Sequence, residues 1–527
     1  MSSGGPSRGR LGGLGALFFL GTLGAIAFYV QRQQVPQSRD EVRKAATIVP
    51  EDAEEVAAPT LPWNDRLDLR ASALVPFAGA PTTDDTGADD AGSGKTLAPA
   101  DGRYVQELGD GHRILLTLDP VLQDAAETIF RKREVPYAAA VMLDLRDNSV
   151  LALVGHSSMD PEVDPLSVVT EAWAPAASTF KLITTAALLD TEAATPSTKV
   201  CFNGGLHGIE DDQLRDDPAR DTRCETLSDA VAHSYNLVIG KLAMQHLSDT
   251  QLLSTAKALQ FETRIPFEFA VEPSPAHIPG DPVERAKVAA GFWNVDLSPV
   301  HGAVIASILA RGGIYQPPHI IAQVIGPDGS DLTPAAPQTD RVLAKEVATQ
   351  LGEMMVLTTE EGTAKKSFID AQGNPYVPGV RVAGKTGSLT GKLPPALNYN
   401  WFIGFAPADR PEVAFAVLLG NSPKWRIKAH YAARRLVQIY VERRAEIARQ
   451  REARLTSDAL ILPERDASGA LLQAKPPTPT TPAPTADGTV ADAADAPAAP
   501  TPALPPPPAA DALPPVPGPI AKQTPGA

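Results

Sequence analysis

Basic residues are scarce in this chain relative to acidic ones. It holds 47 lysines and arginines against 62 aspartates and glutamates, which leaves a formal net charge of −15. No stripe or run of lysine and arginine is available to neutralise phosphates, so we expect no nucleic-acid partner. The length of 527 residues is enough for a large core and, by length alone, for two to four domains.

Charge of either sign is missing from residues 11–30, an uninterrupted run of 20 residues. A helix of that length rises about 30 Å, the thickness of the hydrocarbon layer of a membrane. Arg8 and Arg10 precede the run, so the positive-inside rule predicts a cytoplasmic start over residues 1–10, a single membrane anchor and an exported remainder. The alternative is a cleaved signal peptide, because Ala25-Ile26-Ala27 fits a small-residue cleavage site.

Cysteine is nearly absent, and the two that occur, Cys201 and Cys224, lie in the same short stretch. A local disulfide is the default interpretation of such a pair in an exported chain, and closing this loop would add about 3 kcal/mol. A metal site that also uses His207 and His233 is the alternative, but the spacing is not that of zinc ligands. We therefore expect a disulfide and neither a metal nor another cofactor.

Two segments lack the apolar periodicity of packed structure. Residues 31–103 are acidic and poor in pattern, with ten acidic and three basic residues between positions 45 and 100. Residues 456–527 are rich in proline and alanine, with 17 prolines and no aromatic residue after position 473. Such compositions bury too little apolar surface to order a chain, so both segments are predicted to be disordered, one as a linker and one as a tail.

The remaining part, residues 104–455, is predicted to be the folded domain. The predicted strands, two early and three late, cover residues 138–145, 150–154, 379–386, 399–406 and 413–419. Helical patterns fill the sequence between them, with the clearest apolar stripes over 228–247 and 283–311, and a long helix over 428–455 follows. This order predicts an α+β fold in which helices flank one five-stranded antiparallel sheet and a mainly helical subdomain is inserted.

A serine and a lysine three residues apart open an apolar run in this domain. Ser178-Thr179-Phe180-Lys181 leads into residues 182–189, and on a helix the Ser178 hydroxyl and the Lys181 amine would lie side by side. The unpaired N–H groups of a first helical turn also favour a developing oxyanion. However, Ser254-Thr255-Ala256-Lys257 has the same spacing and nothing around it suggests chemistry, so the pair alone does not identify a nucleophile and its base.

Two further short motifs lie downstream. Ser234-Tyr235-Asn236 falls in a helical region, and Lys385-Thr386-Gly387 falls at the end of the first late strand. Each is unspecific by itself, because Ser-x-Asn is common as a capping pair and Lys-Thr-Gly is common where a strand runs into a turn. Their order after Ser178-x-x-Lys181 and their different structural settings make the set informative.

Together these three motifs resemble those of the penicillin-recognising serine acyltransferases, which include penicillin-binding D,D-transpeptidases and carboxypeptidases and the serine β-lactamases. The flanking segments that also resemble membrane-bound transpeptidases are residues 116–120, 361–364 and 401–407, so the likeness covers about residues 104–445. Two positions depart from it. Residues 175–177 are Pro-Ala-Ala where such enzymes often have Pro-Gly, and Trp293 stands where a glycine is expected.

The resemblance implies how an acyl group would be transferred. Ser178 would attack the carbonyl of a D-Ala-D-Ala peptide and form an acyl-enzyme. Lys181 would be the base, which requires a neutral amine, and burial near the second cation Lys385 would lower its pKa. Ser234 would pass the proton towards the leaving amine.

The resemblance also implies how the substrate would be held. Asn236 would hold the substrate amide, while Lys385 and Thr386 would bind the terminal carboxylate that β-lactams imitate. Gly387 would let the substrate approach the strand closely. The backbone N–H of Ser388 would form the oxyanion hole together with that of the nucleophile.

Several features that related enzymes need are missing. There is no Glu-x-x-Leu-Asn segment, which class A β-lactamases use to activate water, and Asn236 stands where class D enzymes and related sensors usually have valine. No Gly-x-Ser-x-Gly elbow suggests another serine hydrolase. Only 73 residues lie between Val30 and Tyr104, too few for a glycosyltransferase domain of about 150 to 200 residues.

These features predict a peptidoglycan D,D-transpeptidase of the bacterial plasma membrane, with its catalytic domain outside the cytoplasm. Its substrates would be the stem peptides of the cell wall, β-lactams would acylate it, and a separate glycan polymerase would be its partner. There is no room for the large pedestal domain of many such enzymes, which leaves a D,D-carboxypeptidase open. A β-lactam receptor or envelope scaffold without turnover is the other alternative.

Overall fold

The computed structural model describes residues 67–69, 75–76, 103–204, 208–391, 397–422 and 425–452. The predicted cytoplasmic start, the membrane anchor at 11–30, most of the linker and the tail at 456–527 lie outside these residues. Within the described ranges, no helix combines the length and the apolar character that a membrane crossing requires.

The described residues form fifteen strands and eleven α-helices. The strands are β1 (Val75–Pro76), β2 (Tyr104–Glu107), β3 (Arg113–Leu116), β4 (Tyr137–Asp144), β5 (Ser149–Ser157), β6 (Ala174–Pro175), β7 (Lys199–Phe202), β8 (Arg223–Thr226), β9 (Asp296–Leu297), β10 (Ile314–Tyr315), β11 (Ile321–Ile325), β12 (Asp340–Arg341), β13 (Ala383–Thr390), β14 (Asn398–Ala406) and β15 (Val413–Asn421). The helices are α1 (Pro120–Lys132), α2 (Pro165–Thr170), α3 (Lys181–Asp190), α4 (Leu227–His233), α5 (Asn236–His246), α6 (Asp249–Ala258), α7 (Pro282–Ala289), α8 (Pro299–Ala310), α9 (Lys345–Glu360), α10 (Lys365–Phe368) and α11 (Ala429–Glu452).

The central sheet has five strands in the order β13-β14-β15-β4-β5, and every neighbouring pair is antiparallel. This confirms the predicted five-stranded antiparallel sheet, in which the early pair joins the late three through contact of β15 with β4. One boundary was wrong. Strand β13 pairs with β14 up to Thr390, so Lys385-Thr386-Gly387 lies inside the strand and not at its end. Lys-Thr-Gly is common where a strand runs into a turn, so the alternating residues Ser388-Leu389-Thr390 that follow it were not assigned to the predicted strand.

Two apolar cores lie against the sheet. The smaller core packs α1 and α11 on residues of β14 and β15, with Phe130, Phe402, Phe415 and Leu436 among its buried members. The larger core contains the buried faces of α3, α5, α8 and α9. A sheet covered on both faces explains why β15 is buried at every position from Val413 to Asn421. Strand β13 is left at the edge, beside the helical part of the molecule.

Both predicted apolar stripes of the helical part are interrupted. The stripe over 228–247 breaks between α4 and α5, where Ser234 adopts a left-handed conformation with a φ of 61°. The stripe over 283–311 breaks between α7 and α8, after Gly291 with a φ of 89°. A 3.6-residue period does not reveal a single left-handed residue, so the two breaks within these helical stripes were not predicted. Each break contributes residues to the site described below.

The predicted disordered linker at 31–103 contains two segments that the structure describes. Leu67 is buried in the larger core, and β1 pairs with β2 through Val75 and Val105. Disorder was therefore wrongly predicted for these two segments. Their partners lie tens of residues away along the chain, and composition carries no signal for such pairings.

Candidate active site

Ser178 lies in a single 3-10 turn, Ala177–Phe180, that leads directly into α3. Residues three apart are eclipsed in a 3-10 helix, which brings Lys181 Nζ to 2.7 Å from Ser178 Oγ. The turn is entered through Ala177, which has a φ of 49°. Gly291 packs on it so closely that a Cβ there would lie 2.3 Å from the Ala177 carbonyl oxygen. The Ser178 turn and the break after α7 therefore fix each other.

Lys181 is fully buried and has three oxygen atoms around its amine. Besides Ser178 Oγ, these are Asn236 Oδ1 at 2.7 Å and the Ala290 carbonyl at 2.5 Å. Burial lowers the pKa of Lys181 well below its usual range, and the positive charge of Lys385 lowers it further. A neutral amine has two N–H groups, and Asn236 Oδ1 and the Ala290 carbonyl can accept one hydrogen bond from each. The lone pair of the nitrogen is then left to accept from the Ser178 hydroxyl. A lysine in such an arrangement can act as a general base.

Lys385 is the second fully buried lysine of the site. Its Nζ donates to Ser234 Oγ and to the Thr386 carbonyl, each at 3.0 Å. Burial lowers the pKa of Lys385 to about 7. Ser234 reaches this lysine from the left-handed turn between α4 and α5, and the next residue but one, Asn236, holds Lys181. The two lysines are thus linked through one turn.

Two hydroxyl groups mark the edge of β13. Thr386 Oγ1 lies 2.6 Å from Thr363 Oγ1, and Ser388 Oγ accepts from Asn400 Nδ2 at 2.9 Å. Thr363 is placed by Gly362, where a Cβ would lie 2.1 Å from the Ala232 carbonyl oxygen. The chain around residues 361–364 therefore closes one end of the site.

Gly387 has a packing role that the sequence did not indicate. A Cβ at this position would come within 3.1 Å of Thr179 Cγ2 and of Trp401 Cβ. The indole N–H of Trp401 also donates to the Pro175 carbonyl at 2.9 Å. Strands β13 and β14 are thereby held against the Ser178 turn, in addition to any approach of substrate that Gly387 permits.

These groups surround an open cleft with a volume of about 300 Å³. Its lining residues are Ser178, His233, Ser234, Asn236, Ala290, Gly291, Phe292, Thr363, Thr386, Ser388, Leu389, Asn400, Lys428 and His430. None of these is an aspartate or a glutamate. The cleft within the described residues is therefore neutral to cationic and suited to an anionic ligand.

Lys428 and His430 were not predicted, and they flank the first residue of α11. Lys428 Nζ lies 3.3 Å from the centre of the Trp425 ring, and burial lowers the pKa of Lys428. His430 Nδ1 is 2.7 Å from Ser367 Oγ, and burial together with Lys428 lowers the pKa of His430 to about 4. A lysine and a histidine at a helix start carry no sequence signal, because only the folded chain brings them to the cleft.

A family model of the penicillin binding protein transpeptidase domain matches residues 138–438. The chain belongs to this family. The match includes all eight predicted catalytic and substrate-binding residues and ends within α11.

Curated relatives of this penicillin-binding protein family agree with the match. The peptidoglycan D,D-transpeptidase PbpA of Mycobacterium tuberculosis (strain H37Rv) is 31% identical over 317 residues, which is 54% of this chain and 62% of PbpA. The stage V sporulation protein D of Bacillus subtilis (strain 168) is 26% identical over 343 residues, 60% of this chain and 51% of that protein. The chain thus matches a little over half of each relative's length.

Solved structures show the same transpeptidase fold. The crystal structure of PBPA from Mycobacterium tuberculosis has a TM-score of 0.53 and 26% identity, and the alignment covers 63% of this chain and 83% of that one. An imipenem acyl-enzyme complex of penicillin-binding protein A from the same organism has a TM-score of 0.51, with 63% and 80% covered.

The fold brings the predicted site residues of this family member together. Ser178, Ser234, Asn236, Thr386 and Ser388 line the cleft, with Lys181, Lys385 and Gly387 directly behind it. The other Ser-x-x-Lys pair is different. Ser254 and Lys257 are both exposed on α6 and outside the cleft.

The two cysteines lie beside the site. Cys201 and Cys224 face each other in the β7–β8 pair and are joined by a disulfide. Of the histidines in the metal alternative, His207 is outside the described residues, and His233 stacks on Tyr235 with ring centres 5.3 Å apart.

Proposed function

We propose that this protein is a peptidoglycan D,D-transpeptidase that works through an acyl-enzyme on Ser178 and is acylated by β-lactams. One observation carries the proposal: the buried amine of Lys181 has acceptors for two N–H groups and lies 2.7 Å from Ser178 Oγ. The relative that is named a peptidoglycan D,D-transpeptidase and the related acyl-enzyme structure support the same chemistry.

In the first half-reaction Ser178 Oγ attacks the carbonyl carbon between the last two D-alanines. The hydroxyl proton goes to Lys181 Nζ as the new C–O bond forms. Collapse of the tetrahedral intermediate breaks the C–N bond, and the proton on Lys181 passes through Ser234, which Lys385 holds at 3.0 Å, to the departing amine. Lys181 is then neutral again. The products are free D-alanine and an ester on Ser178.

In the second half-reaction the amine of another stem peptide attacks this ester. Its proton passes to the Lys181 amine, the ester C–O bond breaks, and Ser178 regains its proton. The described cleft lining has no carboxylate that could activate a water. We therefore infer that the ester persists until an amine arrives, which favours cross-linking over the hydrolysis of a carboxypeptidase.

Substrate binding follows from the position of β13 at the sheet edge. An extended peptide can add to such an edge by main-chain hydrogen bonds, with its carboxylate at Thr386 and Lys385. The backbone N–H groups of Ser178 and Ser388 would receive the oxyanion, an interaction worth about 3 to 4 kcal/mol per donor. Asn236 holds Lys181 in the structure, so it would serve the substrate amide and the base together.

The test is to treat the full chain, purified in detergent, with benzylpenicillin and to follow its intact mass. We expect one stable adduct, no adduct with Ser178→Ala, and an unchanged adduct with Ser254→Ala as the matched control. No adduct on the wild-type chain, or an adduct that survives Ser178→Ala, would contradict the acyltransferase proposal.

Turnover separates the remaining alternatives. A D-Ala-D-Ala pentapeptide is offered with and without a cell-wall amine, and the products are separated by mass. Aminolysis supports the transpeptidase, hydrolysis alone identifies a carboxypeptidase, and a stable adduct without any turnover identifies a receptor.

We also propose that residues 11–30 anchor the protein in the plasma membrane and that a separate glycan polymerase makes its substrate. The support is the 20-residue uncharged run and the short stretch between it and the domain. Deleting residues 1–30 should move the protein from the membrane fraction to the soluble fraction of the cell. Supplied with lipid-linked monomer, the protein should form cross-links only after a purified glycosyltransferase is added.

A further inference from the structure

The turn that carries Ser234 has an unfavourable backbone conformation. Ser234 has a φ of 61° and a ψ of 41°, a region that residues with a Cβ rarely adopt. Such conformations persist only when the surroundings hold them. The turn's own hydrogen bonds are from the Ser234 and Tyr235 N–H groups to the Ala230 carbonyl. Both bonds close the end of α4, and the further contacts of the turn are made by the side chains of Ser234 and Tyr235.

The side chain of Tyr235, the middle residue of this turn, is clamped from outside the cleft. Arg223 on β8 donates from Nη2 to the Tyr235 hydroxyl at 2.9 Å, and its guanidinium lies 4.8 Å from the ring centre. His233 stacks on the same ring and lines the cleft. A chain of contacts therefore runs from Arg223 through Tyr235 to the cleft wall.

Arg223 is itself fixed by the hairpin of β7 and β8. Its neighbour Cys224 is bonded to Cys201, and its cross-strand partner is Phe202, whose ring centre is 5.6 Å from the guanidinium. Glu225 accepts from Arg223 Nε at 2.8 Å. The disulfide and these contacts hold the arginine at one place over Tyr235.

We propose that Arg223 is a positioning residue for the Ser234 turn and that the disulfide-bonded hairpin acts on the reaction through it. The guanidinium keeps Tyr235 in place, which keeps Ser234 Oγ within 3.0 Å of Lys385 and Asn236 Oδ1 within 2.7 Å of Lys181. Loss of the clamp would let the turn relax towards an ordinary conformation. Thr386 and Thr363, on other elements, would still bind the ligand, so the chemical step would suffer and the initial binding would not.

This inference rests on the proposed acylation of Ser178, and the experiment separates the two. The full chain is mixed with increasing benzylpenicillin, and the acylation rate gives the dissociation constant of the first complex and the rate constant of the chemical step. Wild-type chain that is never acylated would overturn the proposed function, and this inference with it. A wild-type chain that reacts leaves the variants to decide the role of Arg223.

Arg223→Gln is the first variant, and Arg220→Gln is its matched control. Both arginines are exposed in the same hairpin segment, but Arg220 pairs with Asp212 and Asp217 and not with the turn. We expect Arg223→Gln to slow the chemical step by about tenfold with little change in the dissociation constant, because small displacements of catalytic groups are costly. Arg220→Gln should leave both constants unchanged. A wild-type chemical step in Arg223→Gln, or a loss confined to the dissociation constant, would overturn the proposal.

Reduction of the disulfide is the second measurement and needs no change of sequence. Cys201 and Cys224 are both exposed, so a phosphine reductant can reach them in the folded chain. We expect reduction to slow the chemical step of the wild-type chain and to cause little further slowing in Arg223→Gln. Equal slowing in both chains would show that the disulfide does not act through Arg223. Tyr235→Phe keeps the ring and removes only the hydroxyl, so it should slow the chemical step less than Arg223→Gln does.

Discussion

Two regions of the molecule bury lysine side chains, and the two regions differ in the partners that they give to the ammonium group. In the cleft, Lys181 and Lys385 contact hydroxyl, amide and carbonyl oxygens, and the described residues provide no ion pair to either. Beside the hairpin, the equally buried Lys241 of α5 donates to Asp221 at 2.5 Å, to the Cys201 carbonyl at 3.0 Å and to Asp216 at 3.2 Å.

The difference separates a structural lysine from a reactive one. A buried lysine with a carboxylate partner forms an ion pair that ties two segments together, here α5 and the segment after β7. A buried amine without such a partner is pushed towards its neutral form, which costs stability and makes it a base. Two of the eight left-handed non-glycine residues in the described part of the chain, Ala177 and Ser234, lie at the site: Ala177 precedes Ser178, and Ser234 lines the cleft.

The largest effect should follow from Lys181→Met, which removes the base and keeps the apolar stem. We expect acylation by benzylpenicillin to slow by up to about 10⁴-fold, the upper range for general-base catalysis. The rate of adduct formation by intact mass measures this. Lys257→Met, in the exposed Ser-x-x-Lys pair of α6, should react at the wild-type rate. A Lys181→Met chain that reacts within tenfold of wild type would remove the distinction between the two kinds of buried lysine.

Lys241→Met tests the other side of the comparison. Asp221, whose side chain is only 5% exposed, would lose its ammonium partner. Leaving one member of a buried ion pair alone costs about 3 to 5 kcal/mol of unfolding free energy. Urea unfolding would measure the loss, and Lys257→Met should stay within about 0.5 kcal/mol of wild type. A Lys241→Met chain as stable as wild type would show that this pair is not structural.

The pH dependence of stability should expose the unpaired state of Lys385. Its pKa is about 7 in the folded protein and 10.5 without burial. As the pH falls from 10.5 towards 7, the unfolded chain takes up a proton that the folded chain does not, so the unfolding free energy falls. From pH 9.5 to pH 7 this amounts to roughly 3 kcal/mol at 1.36 kcal/mol per pH unit. In Lys385→Met, this contribution to the pH dependence of the unfolding free energy should be lost, which urea unfolding at several pH values would measure. An unfolding free energy that changes with pH as steeply as in the wild type would contradict the prediction.

The smallest effect should come from Ala177→Gly, which relieves the left-handed residue before the nucleophile. Glycine adopts a positive φ without steric cost, and we expect a gain of roughly 0.5 kcal/mol after the entropy of the unfolded chain is counted. Ala176→Gly is the matched control, because Ala176 has a φ of −59° and should lose stability instead. Thermal unfolding would measure both changes in stability. Changes of opposite sign would confirm the strain at Ala177, and changes of the same sign would exclude it.

Local spacing predicted the parts of the site that depend on one segment. Ser178 and Lys181 were expected to meet because they are three residues apart, and they do so in a 3-10 turn and not an α-helix. The central sheet was predicted because its strands are long apolar runs with turn residues between them. Only the resemblance to penicillin-recognising serine acyltransferases predicted that Ser234 and Lys385 lie in the same site, because no local sequence pattern connects them.

The parts that the sequence did not predict depend on backbone conformation or on distant chain. The Ala290 carbonyl reaches Lys181 because Gly291 bends the chain after α7. A carbonyl group is present at every residue, so no residue type marks this one. Lys428 reaches the cleft only because the N–H of Ala429 donates to Asn400 Oδ1 at 2.6 Å. That contact joins positions 29 residues apart in the sequence.

The start of α11 has a consequence for how a ligand arrives. A helix of 24 residues presents its positive end at its first turn, and this turn lies at the rim of the cleft between Lys428 and His430. The chain as a whole carries a formal charge of −15. A ligand with an anionic group is therefore attracted at this opening, although the chain as a whole is acidic. Electrostatic steering of this kind raises the rate of encounter at low ionic strength and fades as salt is added.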